Sequence, residues 1–127
     1  MPRASSQITD LLPLREPTYF ILLSLVSESK HGYAILKDVE DMSQGKVKLS
    51  TGTLYEAMAR LLDQRLIERV PSRGFGAGPE QETRTHPGKP RKDYRLTHLG
   101  LRVLKAELER LDSLVAAARK RVVGEIG

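Results

Sequence analysis

The chain has 127 residues, of which 39% are hydrophobic and 29% charged, with a formal net charge of +5. That is enough for one ordinary domain with a proper core, in a chain too apolar to be disordered. It contains no cysteine, which excludes disulfides, thiolate zinc sites and cysteine nucleophiles, and its positive charge favours a polyanionic partner.

Residues 1–10, "MPRASSQITD", read as a polar tail without the apolar core of a signal peptide. No apolar run along the chain is long enough to span a membrane, so a cytoplasmic protein with no membrane partner is expected. Leu11, Leu12 and Leu14 then form a small apolar cluster broken by Pro13. Pro17 suits the first turn of a helix, where its missing N–H costs nothing. The helix that follows, over about 18–28, carries "YFILLSLV" and is apolar nearly all round, which makes it the most buried element.

A second helix lies in "SKHGYAILKDVEDMSQG", with Ser29 as candidate cap, Ile35, Leu36, Val39 and Met42 as its apolar stripe, and Gly45 at its end. A short basic linker, 46–49, brings Lys46 and Lys48 with no acid beside them. The third helix, about 51–65, turns Leu54, Met58, Leu61 and Leu62 inward, and Tyr55 and Arg60 lie largely off that stripe. Its start is unusual. Ser50 is a good N-cap, but Thr51, Gly52 and Thr53 make the whole first turn small, hydroxylated or glycine.

The period then changes. "LIERV" reads as a short strand ending at Pro71, and "RKDYRLT" as its partner, with Tyr94 and Leu96 on one face. The Gly- and Pro-rich stretch of about 71–90 between them is longer than compact domains usually tolerate without a functional reason. It holds Arg73, Arg84 and Lys89, and the cluster "GKPRK" adds Arg91 and Lys92. The last segment, about 98–122, places Leu101, Leu104, Leu108, Leu111, Val115, Ala118 and Val122 alternately three and four apart, a heptad seam that signals helix–helix association.

Three helices, a hairpin and a trailing helix predict a mainly α fold with a small β-hairpin. In domain terms this is a winged helix-turn-helix over residues 11–97 with a long C-terminal dimerisation helix over 98–127. In helix-turn-helix proteins the second helix of the pair enters the major groove by its N-terminal residues. Ser50, Thr51 and Thr53 would then offer hydroxyls and backbone N–H groups to DNA, and Gly52 would let the backbone come close. Tyr55 and Arg60 extend that surface, and Lys46, Lys48, Arg73, Arg84, Lys89, Arg91 and Lys92 would supply phosphate-binding charge. The seam residues from Leu101 to Val122, with Leu11, Leu12 and Leu14, are the candidate dimer contacts.

Each signal has a plainer explanation. Ser50, Thr51 and Thr53 could be ordinary capping residues, Tyr55 could pack its ring under the hairpin, and the basic loop could be a solvated surface. The seam could pack within its own domain. His31, His86 and His98 are dispersed and lack companions at metal-ligand spacing, so neither a metal nor a cofactor is expected. No phosphate-binding glycine loop, nucleophile elbow or paired-carboxylate motif is present, which argues against an enzyme.

"LSTGTLYEAMARLLDQRLIERV" followed by "GKPRKDYRLTHLGLRVL" resembles the PadR family of bacterial transcriptional regulators, and "HGYAI" and "YFILLSLV" agree with it. The resemblance implies a dimeric winged-helix repressor on a near-palindromic operator, with the C-terminal helices and the first helix forming the dimer. A small-molecule effector that releases it is a further possibility of that kind of regulator. Arg65 stands where the family commonly ends its third helix with glycine. Tryptophan, which one ligand-binding variant uses at its dimer interface, is absent. The alternative is a winged-helix adaptor whose basic surface meets an acidic protein. It would need an exposed apolar patch on the third helix, which Thr51, Thr53, Glu56 and Arg60 do not supply.

Overall fold

In the computed structural model, which describes residues 8–71 and 92–126, the chain runs α1 (Glu16–Ser24), β1 (Lys30–His31), α2 (Gly32–Met42), α3 (Thr51–Asp63), β2 (Ile67–Pro71), β3 (Lys92–Leu96) and α4 (His98–Ile126). A helical turn at residues 8–10 precedes them. The loop expected over 71–90 lies outside the described residues beyond Pro71.

α1 is the central element, as its all-round apolar sequence requires. Ile21 and Leu22 are fully buried, and the helix packs against both α2 and α4. It ends at Ser24 rather than at the expected residue 28. Lys30 explains the early stop: its ammonium donates to the Ser24 carbonyl at 2.6 Å. It thereby satisfies one of the acceptors that a helix C-terminus leaves unpaired.

The expected two-stranded hairpin is a three-stranded antiparallel sheet in the order β1-β3-β2. β1 pairs Lys30 with Tyr94 and His31 with Asp93. Two residues are too short to show alternation, so the sequence pattern could not reveal this strand. It also moves the start of α2: the N-cap is His31, whose Nδ1 accepts from the Ala34 N–H, and not Ser29. α2 buries Ile35 and Val39, whereas Met42 sits at the exposed border of its stripe.

α2 and α3 end alike. The Gly45 N–H reaches back to the Glu40 carbonyl and Gln44 to Asp41; Leu66 reaches back to Leu61 and Arg65 to Leu62. These are Schellman closures, which need a left-handed residue just past the helix, usually glycine. Here Gln44 (φ 57°) and Arg65 (φ 64°) take that conformation. Consequently α2 stops at Met42, three residues short of Gly45, and α3 at Asp63, two residues short of Arg65.

β2 and β3 pair from Ile67 with Leu96 through Pro71 with Lys92. Tyr94 is buried and Leu96 half-buried, and Arg95 donates to the Glu68 carboxylate opposite at 2.7 Å. The turn from β3 into α4 is built by Thr97 and Gly100. The Thr97 hydroxyl donates to the Arg65 carbonyl at 2.7 Å and accepts from the Gly100 N–H at 2.9 Å, so it caps α4 and ties it to the end of α3. A side chain at Gly100 would strike the Leu66 carbonyl, with Leu96 Cδ1 2.8 Å away.

The core gathers Ile21, Leu22, Ile35, Leu54, Met58, Leu66, Ile67 and Val103. It also reaches Ile8. The polar tail expected over residues 1–10 therefore does not extend that far, because Ile8 follows the segment of Leu11 and Leu12 onto the core. Glu107, in the middle of α4, is only 2% exposed. Its Oε2 accepts the Leu14 N–H at 3.1 Å, and the Arg110 guanidinium donates to both its oxygens at 2.7 and 2.9 Å. Among the described residues, no helix is long and apolar enough to cross a membrane.

Candidate nucleic-acid interface

α3 begins with Ser50, whose Oγ accepts the Thr53 N–H at 3.1 Å and donates to the Thr53 hydroxyl at 3.0 Å. Capping thus occupies both hydroxyls. The Leu54 N–H bonds to the Ser50 carbonyl, which leaves the Thr51 and Gly52 amides without a partner among the described residues. Residues 50–53 are all exposed, and among the described residues nothing comes within 4 Å of a Cβ placed on Gly52. The arrangement is an open helix N-terminus with two unspent donors, the geometry that receives an anion.

Tyr55, one turn on, is 45% exposed. Its ring rests on Gly32, where an added Cβ would collide with the phenol oxygen and lie 2.8 Å from Cζ. Gly32 is buried at the first position of α2, so the glycine of "HGYAI" is the seat for the Tyr55 ring. The neighbouring Tyr33 is 64% exposed and extends the aromatic surface beyond α3. No signal within the third helix pointed to Gly32 or Tyr33, because the contact joins two helices.

The basic residues distribute unevenly. Lys46 and Lys48 are exposed close to the first turn. Lys48 has an acid nearby after all: Glu40 of α2 approaches its ammonium to 3.8 Å. The absence of an acid beside it held only along the chain, and the fold brings α2 alongside. That ion pair is largely exposed and so weakly held. Lys92 is exposed at the start of β3. Arg60 stands apart, some 14 Å further along α3, in a depression it shares with Leu11, Leu14 and Arg15. Arg73, Arg84, Lys89 and Arg91 lie outside the described residues, as does His86. Among the described residues, no three His, Asp or Glu side chains come together as a metal site.

The candidate dimer residues divide into two sets. Leu11, Leu12 and Leu14 pack against the core of their own chain, and Leu104 is buried in it. Leu101 and Leu111 are half-buried. Leu108, Val115, Ala118 and Val122 are exposed, and every residue from Asp112 to Val123 faces solvent. Leu114 and Val123, which lie off the heptad seam, add to the exposed apolar surface.

Over residues 21–106 the sequence matches the model of the transcriptional regulator PadR-like family. No curated protein matches it. Among solved structures it is similar to a transcriptional regulator from Clostridium thermocellum, at 24% identity and a TM-score of 0.63, covering 93% of this chain and 96% of that one. A PadR family regulator from Clostridium difficile R20291 aligns at 21% identity with a TM-score of 0.62, over 86% and 99% of the two chains. One from Eggerthella lenta aligns at 29% identity with a TM-score of 0.59, over 93% and 90%. Members of this family regulate transcription and are not enzymes. With a matching stretch that spans more than half its length, the chain belongs to the PadR-like family of transcriptional regulators, which implies DNA-binding regulation.

Proposed function

We propose that the protein is a homodimeric repressor that reads a near-palindromic operator in double-stranded DNA and is released by a small-molecule effector. The observation that carries this reading is the first turn of α3, exposed, unobstructed at Gly52 and with two amides unspent. Thr51, Gly52, Thr53 and Tyr55 meet the groove; Lys46, Lys48 and Lys92 meet phosphate, with Arg73, Arg84 and Lys89 of the 71–90 loop and Arg91 beside it. The exposed apolar half of α4 supports a second copy as the partner, since a lone surface helix gains nothing from Leu108, Val115 and Val122 in water. A two-fold dimer would set two α3 helices on half-sites about one helical turn apart and block that stretch of DNA. Release requires a state in which the two first turns no longer match that spacing. Such a protein works beside the chromosome, in the cytoplasm.

Selection from a random DNA pool, followed by fluorescence-anisotropy titration at low and near-physiological salt, tests the reading. Enrichment of a palindrome that stays tightly bound at the higher salt is the expected outcome. Weak, sequence-blind binding erased by salt would reject an operator and leave only a basic surface.

A further inference from the structure

The sheet holds a polar atom that folding leaves unmatched. Asp93 lies on β3, the central strand, and its Oδ1 is buried without a hydrogen-bond partner, the one such side-chain atom among the described residues. A buried acceptor of this kind costs stability unless a donor reaches it. Asp93 is in register with His31 of β1 on one side and Val70 of β2 on the other. Residues opposite each other in an antiparallel pair share a face, with Cβ atoms about 5 Å apart. The His31 imidazole and the Asp93 carboxylate are therefore neighbours.

His31 also starts α2. Its Nδ1 accepts the Ala34 N–H and so caps the helix, through a bond stretched to 3.4 Å. Only the neutral imidazole has a lone pair to accept with; an imidazolium is a donor at both nitrogens. Protonation ends the cap and turns Nδ1 into a donor, with Asp93 Oδ1 as the acceptor in register. The other charged groups nearby have partners of their own or face solvent. On the shared face, Arg95 and Glu68 lie one step along and bond to each other at 2.7 Å. Lys30 takes the opposite face, where its ammonium donates to the Ser24 carbonyl and lies near Glu28 and Asp38. α3 brings the Tyr55 phenol over Gly32, while Tyr33 of α2 and Lys92 beside Asp93 are exposed.

We propose that His31 is a proton-operated switch of the reading surface: neutral, it caps α2; protonated, it releases the Ala34 N–H and donates to Asp93, loosening the first turn of α2. The consequence for DNA runs through Gly32, the next residue, which seats the Tyr55 ring of α3. A lost cap shifts the balance between formed and frayed helix start about fivefold, so acid weakens operator binding by a like factor. Histidine titrates between about pH 5 and 8, which sets the window of the change. The effect on DNA, and that alone, rests on the regulator reading.

Nuclear magnetic resonance of the full chain without DNA reads the switch directly, and His31→Asn is a control that keeps a capping oxygen but takes up no proton. From about pH 8 to about pH 5, the Ala34 amide resonance should move with the same midpoint as the His31 ring protons. In His31→Asn it should stay still. Asp93→Asn should lower the midpoint by about half a unit or more, because the imidazolium loses its anion. Anisotropy on the selected DNA should show affinity falling about three- to tenfold over the same range, and the fall should vanish in His31→Asn. Three results overturn the proposal: an Ala34 amide indifferent to the His31 titration, an unmoved midpoint in Asp93→Asn, or DNA binding that tightens in acid through His31. The last is what a plain cation near phosphate would do. A chain that selects no DNA but shows the shared midpoint would sink the regulator and keep the switch in α2. Tight, selective DNA binding with a motionless Ala34 amide would do the reverse.

Discussion

At Gly52 a methyl group would meet nothing among the described residues, whereas at Gly32 it would run into the Tyr55 ring. The two glycines of this surface therefore serve different partners: Gly32 seats a side chain of α3, and Gly52 leaves room for something outside the chain. Gly52→Ala should leave the fold intact and raise its stability by up to about 1 kcal/mol, since alanine is the better helix residue. If the DNA backbone approaches there, the same change should weaken operator binding by about 1–3 kcal/mol. Chemical denaturation and anisotropy on one variant give both numbers, and unaltered DNA affinity would remove Gly52 from the interface. The hydroxyls were legible in sequence as a cap and as a DNA-facing set at once, because the same atoms suit both. Only the folded chain shows that Ser50 and Thr53 bond to each other.

Between elements, the bond from Leu14 to Glu107 joins residues 93 apart in sequence. It holds the N-terminal segment to the middle of α4. The Arg110 guanidinium holds the Glu107 carboxyl below its ordinary value of 4.5, outweighing burial, and the Leu14 N–H pulls the same way. A carboxylate whose value is lowered by folding stabilises the folded chain fully above the ordinary range. That contribution is lost as pH falls through the lowered value. Glu107→Gln should accordingly cost about 1–3 kcal/mol at neutral pH, the worth of hydrogen bonds to a buried charge. It should also flatten the fall in stability below about pH 4.5. Urea melts of both proteins from pH 3 to 7 would show this, and parallel curves would mean the carboxylate is not held by the fold. In sequence Glu107 is one more charge on the outer faces of a heptad helix, and only the arrival of Leu14 makes it a buried group.

For the whole molecule the open question is what covers the far half of α4. Its 29 residues extend about 43 Å, and from Asp112 to Val123 it touches no described part of its own domain closely enough to be buried. Leu108 is 52% exposed, so Leu108→Lys should alter the stability of one chain by no more than about 0.5 kcal/mol. On the proposed dimer seam the same charge should split the pair. Sedimentation velocity decides: a monomer supports the seam, and an intact dimer moves the interface elsewhere.

Hydrophobic periodicity and turn chemistry are local, and they sufficed for the order of the elements, for the inward face of Leu54, Met58 and Leu61, and for Ser50 as the start of α3. The motifs from Leu49 and from Gly88 onward carried the family in the same way, because they record local demands of a helix start, a strand and a capped turn. Long-range contacts have no linear signature. Tertiary structure alone decided that Lys30 and His31 form a strand, that Lys48 faces Glu40, that Tyr55 lies on Gly32 and that Glu107 is buried. In each of these a neighbour distant in sequence supplies the partner, and the energy of the contact exists only once the chain has folded around it.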